Sequence, residues 1–360
     1  MMQKEKPFHG SYQPTDVQLL LDIVDIEMTP VNIKESLIQS GKKHYSDMLS
    51  QEANPTQKHL DIFRYALERE GERLATDVVQ LASTLAQEFK EKPIILVSLV
   101  RAGIPLGVML HRALQDLGVE SYHYGISIIR DRGIDHVALN YIERKHGVDN
   151  IVFVDGWTGK GAISQELHSS LGHRKEYKDE IKLVVLTDPC GMAWLAASDE
   201  DWLIPFGIMG APVSGLISRS IWADNRLHGC VLCDHLKMYD VSQELVDCID
   251  EKRKKLDVAH FQPIVKDMSL QKMRLQQSRD VIQKISKHYG VDNINRIKPG
   301  IAEATRAVLR RVPDHILVKN IGDLDIALLK YLAEEKGVTL VEAPEFVGNY
   351  RAITIIKKVS

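Results

Sequence analysis

The sequence predicts an α/β protein: a parallel sheet covered by helices, preceded by a helical N-terminal region and followed by a second, smaller α/β unit. Three observations carry this. Short apolar runs at 94–99, 120–128, 151–154, 181–186 and 203–208 alternate with helical segments, as in a sheet buried on both faces. Two of those runs open directly into glycine-containing loops followed by helices. Charge also divides the chain: residues 1–250 hold 25 Lys and Arg against 36 Asp and Glu, whereas residues 251–360 hold 21 against 13. An acidic body with a basic appendage points to a polyanionic partner for the appendage, with nucleic acid first.

Residues 1–90 read as mostly helical. Ile62, Leu67, Leu74, Val78, Leu81 and Leu85 recur at helical spacing across 61–89. Residues 39–46 form a polar, basic stretch that reads as a turn between helices or part of a lid. The run 94–99 leads through Arg101, Ala102 and Gly103 into an amphipathic helix at 106–117. Between the second and third strands, residues 129–135 are charged and contain a glycine. They form either an exposed hairpin or a loop that closes over a reacting centre, where Arg130 or Arg132 could neutralise departing negative charge. The run 151–154 ends in Asp155 and then Gly156, Trp157, Thr158, Gly159, Lys160 and Gly161, before a helix at 163–171. Asp188 follows the fourth strand and could touch a second substrate. Ser218 and Arg219 lie in a Gly- and Ser-rich stretch able to make an anion- or base-binding turn. The expected divisions are 1–90, a core at 91–250, a linker at 251–269 and a C-terminal unit at 270–360.

A strand ending in small residues lets successive backbone N–H groups converge on an anion, with the positive end of the next helix behind them. The 155–161 loop therefore reads as a phosphate cradle, with Asp155 turned to a ribose or a metal ion. It is not a Walker loop, because Gly161 stands where Ser or Thr is needed after Gly159-Lys160, and the G-x-G-x-x-G pattern is absent. With the Arg101–Gly103 loop, the arrangement resembles the type I phosphoribosyltransferases. That family's second loop carries two acids before a Thr/Gly run; here Gly156 replaces the second. The resemblance implies that Thr158, Gly159, Lys160 and Gly161 grip the 5′-phosphate of phosphoribosyl pyrophosphate and that Arg101, Ala102 and Gly103 bind pyrophosphate. It further implies that Asp155 holds ribose hydroxyls and magnesium (Mg2+) for attack by an unidentified base. A non-catalytic sensor of a phosphoribosyl metabolite is the alternative that Gly156 favours.

In the C-terminal unit, a basic amphipathic helix is expected at 270–289, a helix opening after Lys298 and Gly300, strands at 316–318, 339–342 and 352–359, and a helix at 323–336. Gly300, Glu303, Thr305 and Arg306 follow the spacing by which the helix start of pelota and L7Ae-type RNA-binding domains meets RNA, with Ala302 in place of Asn. This resemblance implies RNA contact through Lys298, Gly300, Glu303, Thr305, Arg306, Arg310 and Arg311. The pairing of the two domain types is similar to the StiP-type family of tellurite-resistance and stress-response gene clusters. That family carries a cysteine-protease description in places, while the loops favour the transferase.

Cys190, Cys230, Cys233 and Cys248 are too few and too clustered for a disulfide framework and are expected as reduced thiols. His228, Cys230, Cys233 and His235 are zinc-ligand types but crowd into eight residues, and Val231 and Leu232 suggest a buried strand. Cys190 or Cys230 with His228 or His235 is the protease alternative. No run approaches a membrane span and the first ten residues lack an apolar signal core, so a cytoplasmic protein is expected. A homodimer is the remaining partner left open.

Overall fold

The computed structural model describes residues 8–90, 92–178, 180–258 and 261–358. Strands β1 (Gln18–Leu19), β3 (Ile94–Val100), β4 (Ser121–Ile129), β6 (Ile151–Val154), β7 (Leu183–Thr187) and β8 (Leu195–Ser198) form the main sheet in the order β1-β4-β3-β6-β7-β8, all parallel. The sequence Ile-Ile-Leu-Val-Ser-Leu-Val of β3 is buried on both faces for its first six residues, which is why it shows no alternation. A short strand, β5 (Gly133–Ile134), folds back on β4 as an antiparallel hairpin.

One face of the sheet is covered by α2 (Gln57–Glu88), α3 (Gly103–Asp116) and α6 (Ser242–Arg253), which pack on one another. The other carries α4 (His136–His146) and α5 (Ala162–Leu171), with Leu139, Ile142, Leu167 and Leu171 against Val97, Ile126 and Phe153. The predicted helix at 61–89 is α2, started by Thr56, whose hydroxyl accepts from the His59 N–H. Two expectations fail. The N-terminal region, besides α1 (Val31–Gln39), supplies an edge strand of the sheet and a second short strand, β2 (Asp22–Ile23), paired with β9 (Gly229–Cys230). The run 203–208 is a turn around Pro205–Gly207, not a strand, and β8 takes the edge in its place. Proline there lacks a ladder donor.

The C-terminal unit has a four-stranded sheet in the order β10 (Ile297–Pro299), β13 (Ala352–Ile356), β11 (Pro313–Val318), β12 (Thr339–Glu342). It is flanked by α7 (Met268–His288), α8 (Ile301–Arg310) and α9 (Ala327–Glu335), with α10 (Pro344–Val347) before the last strand. Strand β13 stops at Ile356, and Val359 of the expected strand lies outside the described residues. The unit is no loose appendage. Ile301, Val308 and Leu329 belong to the same apolar core as Leu74, Leu203 and Phe206. No helix among the described residues is long and apolar enough to cross a membrane.

Candidate functional site

The carboxyl ends of β3 and β6 open into a cavity of about 1160 Å³, roofed by residues 28–59 on one side and by α8 and α9 on the other. Ligands of open α/β sheets bind at this edge, and the volume is somewhat above the roughly 300–1,000 Å³ of small-molecule sites. Gly103, at the start of α3, lets that helix close on β6: a Cβ there would lie 2.1 Å from the Val154 carbonyl oxygen.

Arg101 and Asp155 both line this cavity. Arg101 is nearly fully buried; its Nη1 donates to the Ile217 carbonyl at 2.8 Å and its Nη2 to Glu52 at 2.5 Å. Burial raises the Glu52 carboxyl, but Arg101 and Arg310 outweigh it and bring it to about 2. Asp155 is pushed up to about 7 by burial and accepts the N–H of Gly156 at 2.8 Å.

The glycine loop does not present an open cradle. The C-terminal unit lies on it: Tyr350 donates its hydroxyl to the Gly159 carbonyl at 2.8 Å, and a Cβ on Gly159 would lie 2.1 Å from a Glu303 carboxylate oxygen. Lys160, lowered to about 7 by burial, spends its ammonium on the carbonyls of Ile294 and Ile297 at 2.6 and 3.0 Å. A carboxylate over the loop repels phosphate, which corrects the role expected for Thr158, Gly159, Lys160 and Gly161. A second acid would also be crowded, since a Cβ on Gly156 would lie 3.1 Å from both the Ala102 carbonyl oxygen and the Phe206 ring, so its neighbours would have to give by a few tenths of an ångström.

Several other expected ligands have structural work instead. Thr158 donates to Asp188, which also accepts the N–H groups of Met192 and Ala193 at 3.0 and 2.8 Å, so that carboxylate staples its own loop. Ser218 accepts from Val231 N–H and donates to the Arg219 carbonyl. Residues 129–135 are a pinned hairpin. The Arg130 N–H donates to the Tyr45 hydroxyl at 2.8 Å, while Arg132 pairs with Asp47 and lies 4.7 Å from the centre of the Trp222 ring. Arg130 still lines the cavity. Among the described residues, no three His, Cys, Asp or Glu side chains converge to hold a metal ion. Asp155 belongs to no such group, so the residues present do not fit a magnesium ion.

The expected RNA face is turned inward. The Ile301 N–H, at the start of α8, donates to Asp201 at 2.9 Å, and Gly300 (φ +89°) sits against the same carboxylate. Lys298 pairs with Glu303 at 3.3 Å, Thr305 is fully buried, and Arg311 pairs with the buried Glu35. Arg306 donates to the carbonyls of Phe206, Gly207 and Met209 and stacks on Trp157 at 4.6 Å. Arg310 points into the cavity beside Arg101, Arg306 and Arg219. The α8 start, Arg306 and Arg311 hold the two units together, while Lys298, Glu303, Thr305 and Arg310 are buried beside them or line the cavity, so none of the seven forms an open basic face.

Cys190, Cys230 and Cys233 are all buried, and they differ in what they face. Cys190 and Cys230 have no exposed surface, and burial drives both thiols up, Cys230 to about 12. Cys248 is half-buried on α6, away from the cavity. Cys233, which sequence reasoning did not nominate, lines the cavity with His235 and His59. Burial raises its thiol to about 11 while Arg101 pulls it down. His228, expected as a base, is buried: its ring contacts the Ser127 hydroxyl at 2.7 Å and its N–H donates to Asp135. The C-x-x-C spelling did reveal Cys233; only the fold could show which of the pair faces the cavity.

This is an α/β protein with a cleft at the carboxyl edge of its sheet, sealed by a pelota-type unit. Residues 10–250 match the family model described as "Tellurite-like stress resistance cysteine protease StiP", and residues 276–358 match "PELOTA RNA binding domain". A relative from Acinetobacter baylyi, described as "Cysteine protease StiP", is 49% identical over 98% of this chain and 94% of its own length. The chain belongs to the StiP family of tellurite-like stress resistance proteins. Among solved structures, a mutant hypoxanthine phosphoribosyltransferase from Trypanosoma cruzi, complexed with the product IMP, is similar at TM-score 0.30 and 16% identity, over 45% of this chain and 80% of that one. A glutamine mutant from a study of an invariant aspartic acid in such enzymes gives 0.29 and 16%, over 45% and 91%. The phosphoribosyltransferase activity expected from the two loops is overturned: the family and the full-length relative are both described as cysteine proteases.

Proposed function

We propose that the chain is a cysteine peptidase that uses Cys233 as nucleophile. The observation that carries this is that Cys233 is the one of the four cysteines lining the cavity, and that it shares the cavity with three histidines, His44, His59 and His235. His59 contacts the Ile208 carbonyl through Nε2 at 2.8 Å, and His235 contacts the Glu52 carbonyl in the same way at 2.8 Å. A ring nitrogen facing a carbonyl oxygen must carry the proton, so in each neutral ring Nδ1 keeps a lone pair able to accept one. Burial lowers the proton affinity of His59, which keeps it neutral. With the thiol raised to about 11, the resting sulfur is protonated at neutral pH and a base is required. The thiol proton passes to a histidine Nδ1 while Sγ attacks the peptide carbonyl carbon. The C–N bond then breaks, the amine leaves with that proton, and water hydrolyses the thioester to regenerate the thiol.

The family description of the C-terminal unit supports RNA as a second partner. With the α8 start occupied, the exposed basic residues of α7, Lys272, Arg279, Lys284 and Lys287, are one surface suited to phosphate contacts. The peptidase reading is tested by casein hydrolysis and iodoacetamide labelling of wild type, Cys233→Ala and Cys190→Ala. Cys233→Ala should abolish hydrolysis and remove the reactive label, with Cys190→Ala close to wild type. Hydrolysis retained without Cys233 would refute the assignment. His235→Ala and His59→Ala then identify the base.

A further inference from the structure

The cavity concentrates positive charge well beyond what its acids can balance. Arg101 and Arg219 enter from the core, and Arg306 and Arg310 from α8 of the C-terminal unit. Glu52 is the carboxylate set among them, held by Arg101 and by the Ala211 N–H at 2.8 Å; Asp155 faces Arg306. Three guanidinium nitrogens, Nε of Arg101, Nη1 of Arg219 and Nη2 of Arg310, are shut away from solvent with no hydrogen-bond partner among the described residues. Each such N–H forgoes water without a replacement acceptor, and like charges close together add repulsion. Burial and the neighbouring arginines lower the proton affinity of Arg306 to about 9 and that of Arg310 well below its ordinary value. Lys34, lowered to about 8 by burial and then by Arg219, lines the same wall, as do Arg130 and Arg311.

We infer that this cavity is a binding site for a small oligoanion, a molecule with two or more phosphate or carboxylate groups, that bridges the core and the C-terminal unit. Planar guanidinium forks suit the oxygens of both groups, and the arginines that line the cavity come from both sides of the cleft. One ligand would therefore satisfy the core arginines and α8 together and hold the two units closed. The site does not depend on the chemistry of Cys233.

The test uses the full chain, with thermal unfolding and calorimetric titration at constant ionic strength. The probes are inorganic tripolyphosphate and citrate, which separate phosphate from carboxylate ligands. Wild type should bind at least one probe and unfold about 3 °C or more higher at saturation. Arg310→Met should weaken that probe at least tenfold and lose the thermal shift. Because it removes a buried, unpartnered charge, its unliganded midpoint should equal or exceed that of wild type, so a folding defect cannot imitate the result. Arg144→Met, an exposed substitution on α4, should bind as wild type does. Failure of both probes to bind wild type, or an undiminished response in Arg310→Met, overturns the inference. Cys233→Ala should keep the full thermal shift, so loss of peptidase activity and loss of the anion site are separately visible.

Discussion

Replacing Asp201 by alanine should loosen the joint between the two units, and the size of the effect follows from its partners. Its carboxylate is buried and accepts two backbone N–H groups of the C-terminal unit, Ile301 at 2.9 Å and Arg351 at 2.7 Å. Alanine would orphan both, at about 1–3 kcal/mol each, or about 4 kcal/mol together. Burial raises this carboxyl from 3.8 to about 6 against the pull of those hydrogen bonds. A carboxyl raised on folding stabilises the native state most below its unfolded value, and that contribution is lost as pH rises through about 6. The gap between 3.8 and about 6 is worth about 3 kcal/mol, so the penalty of Asp201→Ala should be near its full value of about 4 kcal/mol below pH 3.8, about 2.5 kcal/mol at pH 5 and about 1 kcal/mol at pH 8. Urea unfolding read by tryptophan fluorescence suits the measurement, because Trp202 is buried next to Asp201 and Trp157 stacks under Arg306. No penalty at pH 5, or a larger one at pH 8, would refute the role given to this carboxylate.

Asp77 on α2 has a buried carboxylate oxygen without a partner, and burial raises the group to about 7. The same sign applies: Asp77→Asn should raise the urea midpoint most at pH 8.5, less than half as much at pH 5 and hardly at all below pH 3.8, since the unfolded chain already ionises this carboxyl at pH 5 while the folded one does not. Arg311→Ala should cost about 3 kcal/mol by stranding the fully buried Glu35, and Glu35→Ala in the same chain should recover much of that loss. Gly103→Ala should destabilise by about 2 kcal/mol in chemical denaturation, because the new Cβ meets the Val154 carbonyl rather than a movable side chain.

Much of the fold was legible because local signals matched their surroundings. The apolar runs at 94–99 and 151–154 are buried on both faces, and α2 shows the helical period of a helix with one face on a core. The run 203–208 misled because its apolar residues are buried, as a strand's would be, but in a turn that Pro205 enforces. β1 and β2 are two residues each, too short for any period to register. At the site, Arg101 and Asp155 were legible from strand ends. Cys233 was not separable from Cys230, because two residues three apart carry no record of which one faces a cavity. The roles of Glu303 and Arg306 were hidden for a related reason: local sequence shows a helix start suited to an anion, but not that the core supplies the anion.

That last point accounts for the charge asymmetry. A basic unit joined to an acidic body reads as a nucleic-acid appendage when the two are taken as separate. Here the body's own carboxylates answer much of the basic face: Asp201 at the α8 start, Glu35 on Arg311 and Glu52 before Arg310. The helix start thus keeps its affinity for negative charge and satisfies it within the chain. Arg310 is the exception in hydrogen bonding: Glu52 offers it opposite charge but no hydrogen bond, and one of its guanidinium nitrogens is buried without a partner. An interface built to neutralise its arginines would not leave that one unpaired, whereas an interface that shares its arginines with a ligand must.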